Sequence, residues 1–341
     1  MSLSDEKCLS FLAEWTDPQS SLVHEFRLRY FISTSEVDLL NIKTKKIFLK
    51  KSSVPEINVS SISIGSKLTI FSRTLTIKKY LDQETRDTVQ DEEYTCAIIK
   101  PNGYNKIGSI MSIIEERLRI TKLKMIKLSK KRAEDFYSEY SGENFFSTLT
   151  NLMASDVIVV MQLTGVDAIR VCLELVDDAS VHASDSKASA DRDLAFFFSN
   201  EVLTTAVHTN CTLCVVKPHA VRSAGKIVEQ ILGERLEISA MDLRHIDVVI
   251  AEEFMEVYRG VLPDFGALCA ELASGPALVM EVRSENVVEK LRALVGPSDP
   301  DLARQVRPQT MRAKFGIDRV QNAVHCTDLP EDGILESKYF F

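Results

Sequence analysis

No apolar run in the chain reaches the roughly eighteen residues that a membrane-spanning helix needs, so no membrane partner is expected. The opening MSLSDEKCLSFLAEWTD has acids where a secretory signal would need a basic start and a long apolar stretch, and the expected address is the cytoplasm. Cysteine is sparse and odd in number, seven from Cys8 to Cys326, which suggests free thiols. Cys211 and Cys214 form one CxxC. It lacks a second pair at metal-binding spacing and falls in the strand-like TLCVVKP, so no metal site is expected there. Positive charge is also in deficit, 41 Lys and Arg against 49 Asp and Glu, and a net charge of −8 argues against general nucleic-acid binding.

What is present is core-forming. Apolar residues make up 45% of the 341 positions, enough for two or three domains of ordinary size. Residues 1–81 read as short strands, FRLRYF, EVDLL, KKIFLKK and SKLTIFSRTLTIKKY, preceded by one helical patch around 4–15. DQETRDTVQDEE, 82–93, has no apolar residue but Val89 and reads as a linker.

The remainder repeats itself. CAIIKPNGYNKIGSI (96–110) aligns with CVVKPHAVRSAGKIV (214–228), ERLRIT with ERLEIS, AEDFYSEY with AEEFMEVY, and LMASDVIVVMQL with LASGPALVMEV. The shared β-α-β-β-α-β order implies two ferredoxin-like sandwiches, an α+β fold. The copies are offset by 119 at Ser155 and Ser274 but by 143 at His182 in ASVHASD and His325 in NAVHCTD. The first copy therefore lacks 24 residues around GPSDPDLARQVRPQTMRAKFGIDRVQN.

The second copy carries Lys217, Arg292, Ser298, Arg312, Asn322, His325, Thr327 and Glu336 on that scaffold. An ammonium and two guanidinium forks suit a polyphosphate, and they matter most where charge develops during transfer. A neutral imidazole can accept a phosphoryl group at a ring nitrogen, with a carboxylate fixing its tautomer.

IIKPNG, VVKPHA, FYSEY, SGPALVMEV, the GPSDP…RPQTMRAKFGID block and above all NAVHCTD resemble the nucleoside diphosphate kinase family. EWTDPQSSLVHEFRLRYF…IGSKLTIFSRTLTIKKY resembles the DM-ten domain, a PH-like β module. The arrangement is similar to the seventh-member type of that family, a ciliary component inside axonemal doublet microtubules. The resemblance implies a PH-like β domain with linker over 1–93, a first kinase-like unit over 94–198 and a second over 199–341. It makes His325 the phosphorylated histidine and assigns phosphate contacts to Lys217, Arg292, Ser298 and Arg312. Asn322 becomes the sugar contact, with Thr327 and Glu336 supporting the histidine. The ligand is a magnesium-bound nucleoside di- or triphosphate. Met255 replaces a family tyrosine, and Asp264 replaces a base-stacking aromatic, although the adjacent Phe265 could shift in.

In the first copy Lys100, Tyr137, Phe145, Leu149, His182, Ser184 and Asp193 keep family-like identities, but Leu173 and Ala179 replace an arginine and the asparagine. That copy is expected to be inactive. The implied role is structural, in cilium or flagellum axonemes with tubulin and other doublet microtubule proteins as partners, alongside an active second unit. The alternatives are a housekeeping kinase or a microtubule-nucleation cofactor. The basic RLRITKLKMIKLSKKR (117–132) reads as a strand with one solvated face rather than an acidic-partner site, and FFF at 196–198 as packing.

Overall fold

The computed structural model describes residues 7–16, 22–54, 57, 62, 64–70, 73–89, 93–176, 178–198 and 204–341. Two compact units form, Met1–Glu92 and Glu93–Phe341. Among the described residues no helix is long and apolar enough to cross a membrane.

The first unit is an antiparallel sheet of β1 (Cys8–Thr16), β2 (Val23–Phe31), β3 (Glu36–Asn41), β4 (Ile47–Ser53), β5 (Lys67–Ile70) and β6 (Arg73–Tyr80), in the order β4-β3-β2-β1-β6-β5. It curls enough for the guanidinium of Arg73 to sit 4.8 Å from the ring centroid of Phe48 in β4. The helix expected around 4–15 is a strand from Cys8 onward, and residues 4–6 lie outside the described residues. Leu9, Phe11 and Ala13 are fully buried at a spacing of two, and β1 pairs on both sides, so sheet burial overrides the local pattern.

The acidic linker is also corrected over its described part. Gln83–Thr88 forms a short helix, α1, capped by Asp82, whose carboxylate accepts from Thr85 N–H at 2.7 Å. Thr85 Oγ1 in turn accepts from Ser10 N–H at 2.7 Å, and Val89 is buried. Capping and one long-range hydrogen bond tie this polar segment to the sheet where apolar content could not.

In the second unit the first repeat comprises β7 (Glu93–Ile99), α2 (Ile107–Glu115), β8 (Arg119–Lys127), α3 (Lys130–Phe136), α4 (Phe146–Ser155), β9 (Val157–Gly165), α5 (Ala168–Leu175), β10 (Val181–Ala183) and α6 (Lys187–Phe198). The second comprises β11 (Cys211–Val216), α7 (Ala224–Gly233), β12 (Glu237–His245), α8 (Val248–Phe254), α9 (Phe265–Leu272), β13 (Pro276–Arg283), α10 (Val287–Val295), α11 (Pro300–Val306), α12 (Met311–Phe315), β14 (Val324–Cys326) and α13 (Gly333–Phe340). All eight strands form one sheet, β10-β7-β9-β8-β12-β13-β11-β14. Each repeat thus runs fourth-first-third-second, the ferredoxin-like order, and the repeats meet edge to edge with Lys124 opposite Asp242.

Helices α2 and α7 pack across that junction. A Cβ on Gly225 would lie 2.3 Å from Ser112 N, and one on Gly108 would lie 2.3 Å from Glu229 N, so both crossing points require glycine. Gly225 N–H donates to the Glu115 carboxylate at 3.1 Å, and burial pushes that carboxyl's pKa up to about 7. Tyr104 Oη of the first repeat donates to Ile238 O at 2.9 Å and accepts from Ile238 N–H at 2.7 Å, beside a β12 irregularity.

The basic 117–132 segment contributes β8 and the start of α3; Leu123 and Met125 join the core on one face of the strand, but Ile126 packs in the core on the other, so the face expected to be solvated is covered at that end. Phe196 and Phe197 pack on Phe136, with centroids 5.1 and 4.7 Å away. Cys211 and Cys214 lie three apart on β11, so their side chains leave opposite faces of the strand and cannot converge.

Candidate active site

The second repeat's central strand β11 ends at Val216, and Lys217 N–H donates to Ala323 O at 2.9 Å. Val324 N–H donates to Asn322 O at 2.9 Å, closing a γ-turn on Ala323, which has φ +70° and is fully buried. An alanine held there is strained, and the surrounding hydrogen bonds fix it. The turn delivers His325 into β14 opposite Val215, with 10% of its side chain exposed.

His325 Nε2 lies 3.1 Å from Glu336 Oε2, which also accepts from Thr327 Oγ1 at 3.0 Å. A carboxylate oxygen can only accept, so the proton sits on Nε2 and Nδ1 keeps its lone pair. Phe254 meets the imidazole edge-on at 5.0 Å.

A cleft of about 290 Å³ opens at this histidine, lined among others by Lys217, Arg292, Ser298, Arg312 and Asn322. The cations converge although their present partners differ. Lys217, 5% exposed, donates from Nζ to Val320 O at 2.8 Å, and burial, with Arg312 adding to it, pulls its pKa down to about 8. Arg312 donates from Nη1 to Gly296 O at 2.9 Å and from Nη2 to Val324 O at 2.9 Å. Arg292 pairs with Asp328, which also accepts from Tyr258 Oη at 2.6 Å. Burial opposes ionisation of Asp328, but Tyr258 and Arg292 hold its pKa below the usual range. Asn322 Nδ2 donates to Ser298 O at 3.1 Å, while its buried Oδ1 has no partner among the described residues.

Met255 lines the cleft as a thioether where the resemblance calls for a phenol, with Leu262, Leu268 and Leu272 completing an aliphatic wall. Neither Asp264 nor Phe265 lines it. Phe265, partly buried, packs against the core with the Arg259 guanidinium 4.7 Å from its ring centroid and does not take the place of the lost aromatic. Among the described residues Asp328 is the one carboxylate lining the cleft, amid cations. That donor set suits magnesium carried in on nucleotide phosphates, since this ion is held by one or two carboxylates plus substrate oxygens.

Three residues escaped the sequence reading. Tyr258 and Asp328 line the cleft, and the signal was available: Tyr258 follows Met255 by three, and Asp328 closes NAVHCTD. The third, His219, left only the KPH tripeptide to notice. Its Nε2 accepts from Ala323 N–H at 3.2 Å, so Nδ1 donates to Glu271 Oε1 at 2.6 Å. Glu271 Oε2 takes Gln321 Nε2 at 3.2 Å. With side chains 8% and 7% exposed, His219 and Glu271 brace the strained turn from behind.

The first repeat keeps the imidazole support and loses the cleft's far wall. His182 Nε2 lies 3.3 Å from Asp193 Oδ2, which accepts from Ser184 Oγ at 2.8 Å. Lys100 Nζ donates to Ala179 O at 3.0 Å, and burial lowers its pKa. Tyr137 is buried with its hydroxyl unpartnered among the described residues, Phe145 is exposed, and Leu149 packs on the core. α5 ends at Leu175 and β10 begins at Val181, whereas α10 ends at Val295 and β14 begins only at Val324, so among the described residues α11 and α12 have no counterpart in the first repeat. Leu173 is solvent-exposed where Arg292 would stand.

Two ferredoxin-like repeats, one presenting a supported imidazole to clustered cations, define the class: the chain belongs to the nucleoside diphosphate kinase family, whose model, "Nucleoside diphosphate kinase", matches residues 93–180 and 210–341. It is 37% identical over 97% of its length to nucleoside diphosphate kinase homolog 7 of Rattus norvegicus, covering 92% of that protein. The Mus musculus protein of the same name is 35% identical, again over 97% of this chain and 92% of its own length. A crystal structure of the Aquifex aeolicus nucleoside diphosphate kinase is 34% identical, covers 39% of this chain and 94% of its own, and superposes with a TM-score of 0.37.

Proposed function

We propose that the second repeat transfers the γ-phosphoryl group of a nucleoside triphosphate to a nucleoside diphosphate through His325. The observation that carries this is an imidazole whose Nε2–H is held by Glu336 while its Nδ1 lone pair is left at a cleft lined by Lys217, Arg292 and Arg312. In the first half-reaction Nδ1 attacks the γ-phosphorus, an N–P bond forms, the bond to the bridging oxygen breaks, and nucleoside diphosphate leaves. A terminal oxygen of the second diphosphate then attacks phosphorus and the N–P bond breaks. Glu336 stabilises the cationic phosphoimidazole by keeping its hydrogen bond throughout.

The three cations offset charge on the transferring group. Arg292 must exchange Asp328 for phosphate, an exchange made cheap because half-exposed ion pairs contribute only about 0–1 kcal/mol. The aliphatic wall replaces stacking, worth about 1–3 kcal/mol per base, with non-directional packing, so binding is weakened and base choice relaxed. The first repeat has lost the α11–α12 segment and serves as the second repeat's sheet partner, not as a second centre.

We also propose, on the resemblance alone, that the protein has a structural role on tubulin in the cilium or flagellum axoneme. A turnover assay with ATP and a second nucleoside diphosphate tests the enzymatic reading. Exchange should be lost in His325→Ala and kept in His182→Ala; exchange surviving His325→Ala overturns it. The structural reading predicts retention on salt-washed axonemal microtubules, and full release would sink it.

A further inference from the structure

Beside the cleft, between α8 with its following turn and α13, lies a second depression of about 460 Å³. Its wall carries Val257, Val261 and Leu335, which are 75%, 72% and 66% exposed. Exposed aliphatic side chains converging on one groove are unusual on a protein surface and mark contact with another molecule. Across it Tyr339 Oη donates to Glu253 Oε2 at 3.1 Å, and its ring lies 5.6 Å from that of Phe254.

The charge around the groove selects the occupant. Four of its eleven lining residues are carboxylates, Glu253, Asp328, Asp332 and Glu336, and none is a cation. Asp328 and Glu336 are engaged with Arg292 and His325, whereas Glu253 and Asp332 have no cationic partner among the described residues. An uncharged apolar ligand would shield those two acids from water and pair neither, which is costly. A helix with aliphatic residues on one face and lysine or arginine at its flanks would fill the groove and pair both.

We propose that this groove is a docking site for a basic amphipathic helix of a partner protein. Because Tyr258 and Asp328 line both groove and cleft, such a partner sits within one side chain of the phosphate-binding cations.

The test uses the full chain and labelled eighteen-residue helical peptides sharing one leucine face, with lysine, glutamine or glutamate on the other, read by fluorescence anisotropy. The lysine peptide should bind at least about tenfold more tightly than the glutamine peptide, and the glutamate peptide most weakly. Val257→Asn with Leu335→Asn should weaken the lysine peptide at least about tenfold, and Glu253→Lys with Asp332→Lys should abolish its advantage. Glu253, Val257 and Leu335 are exposed and Asp332 is partly exposed, and unchanged circular dichroism would confirm folding. Equal binding by wild type and the Val257/Leu335 variant, or no preference for lysine, overturns the proposal. So does a concentration-dependent dimer that this variant abolishes, which would make a second copy the occupant.

Discussion

Lys217 places a testable contradiction in the cleft, because the charge needed for phosphate is one the empty fold disfavours. Its pKa falls from 10.5 to about 8, so burial penalises the ammonium in the folded state. A group whose charged form is disfavoured on folding destabilises the fold below its folded pKa. That penalty is relieved as pH rises from about 8 toward the unfolded value. At 1.36 kcal/mol per unit, the shift implies a penalty of roughly 3 kcal/mol at pH 7 and about 1 kcal/mol at pH 10. Lys217→Met removes the titration. Unfolding both proteins in urea from pH 7 to pH 10, the wild type should gain about 2 kcal/mol relative to the variant. With saturating triphosphate at pH 7, the wild type alone should show a large rise in Tm, since the phosphates supply the missing counter-charge. A stability difference flat across that range would refute the argument, as would equal stabilisation by nucleotide.

Other expectations follow from single contacts. Arg292→Met should lower kcat by about 10²–10³ while leaving stability within about 0.5 kcal/mol, because the Asp328 pair it breaks is half exposed; steady-state kinetics and urea unfolding check both. His219→Ala leaves Glu271 buried without its histidine and Ala323 N–H without an acceptor, costing about 1–3 kcal/mol. His219→Gln should recover part of the kcat lost in His219→Ala, because the turn positions His325 and an amide can restore a hydrogen bond to it. Gly225→Ala forces a methyl against Ser112 N and should destabilise by about 1–3 kcal/mol or more, read as a lower urea midpoint.

The repeat and the ferredoxin-like order were legible because they ride on apolar periodicity, and Lys217, Arg292, Ser298, Arg312, Asn322 and His325 were legible through the several stretches that resemble the kinase family. The strand at Cys8–Thr16 was misread because its partners, β2 and β6, are settled by pairing at a distance. The helical turn at 83–88 was misread because a hydrogen bond to the Asp82 carboxylate and another from Ser10 N–H hold it rather than apolar content. His219 was passed over because its role depends on Glu271 and Ala323, 52 and 104 positions away. The pairing of Arg292 with Asp328 was likewise invisible, since both read as independent charges in sequence.

The most direct measurement is the isomer and position of the phosphohistidine formed on incubation with a nucleoside triphosphate, read by peptide mapping and phosphorus NMR. Phosphate on Nδ1 of His325, absent from His182, is what the hydrogen bond from Nε2 to Glu336 requires. Phosphate on Nε2, or on His182 at comparable yield, would contradict the account.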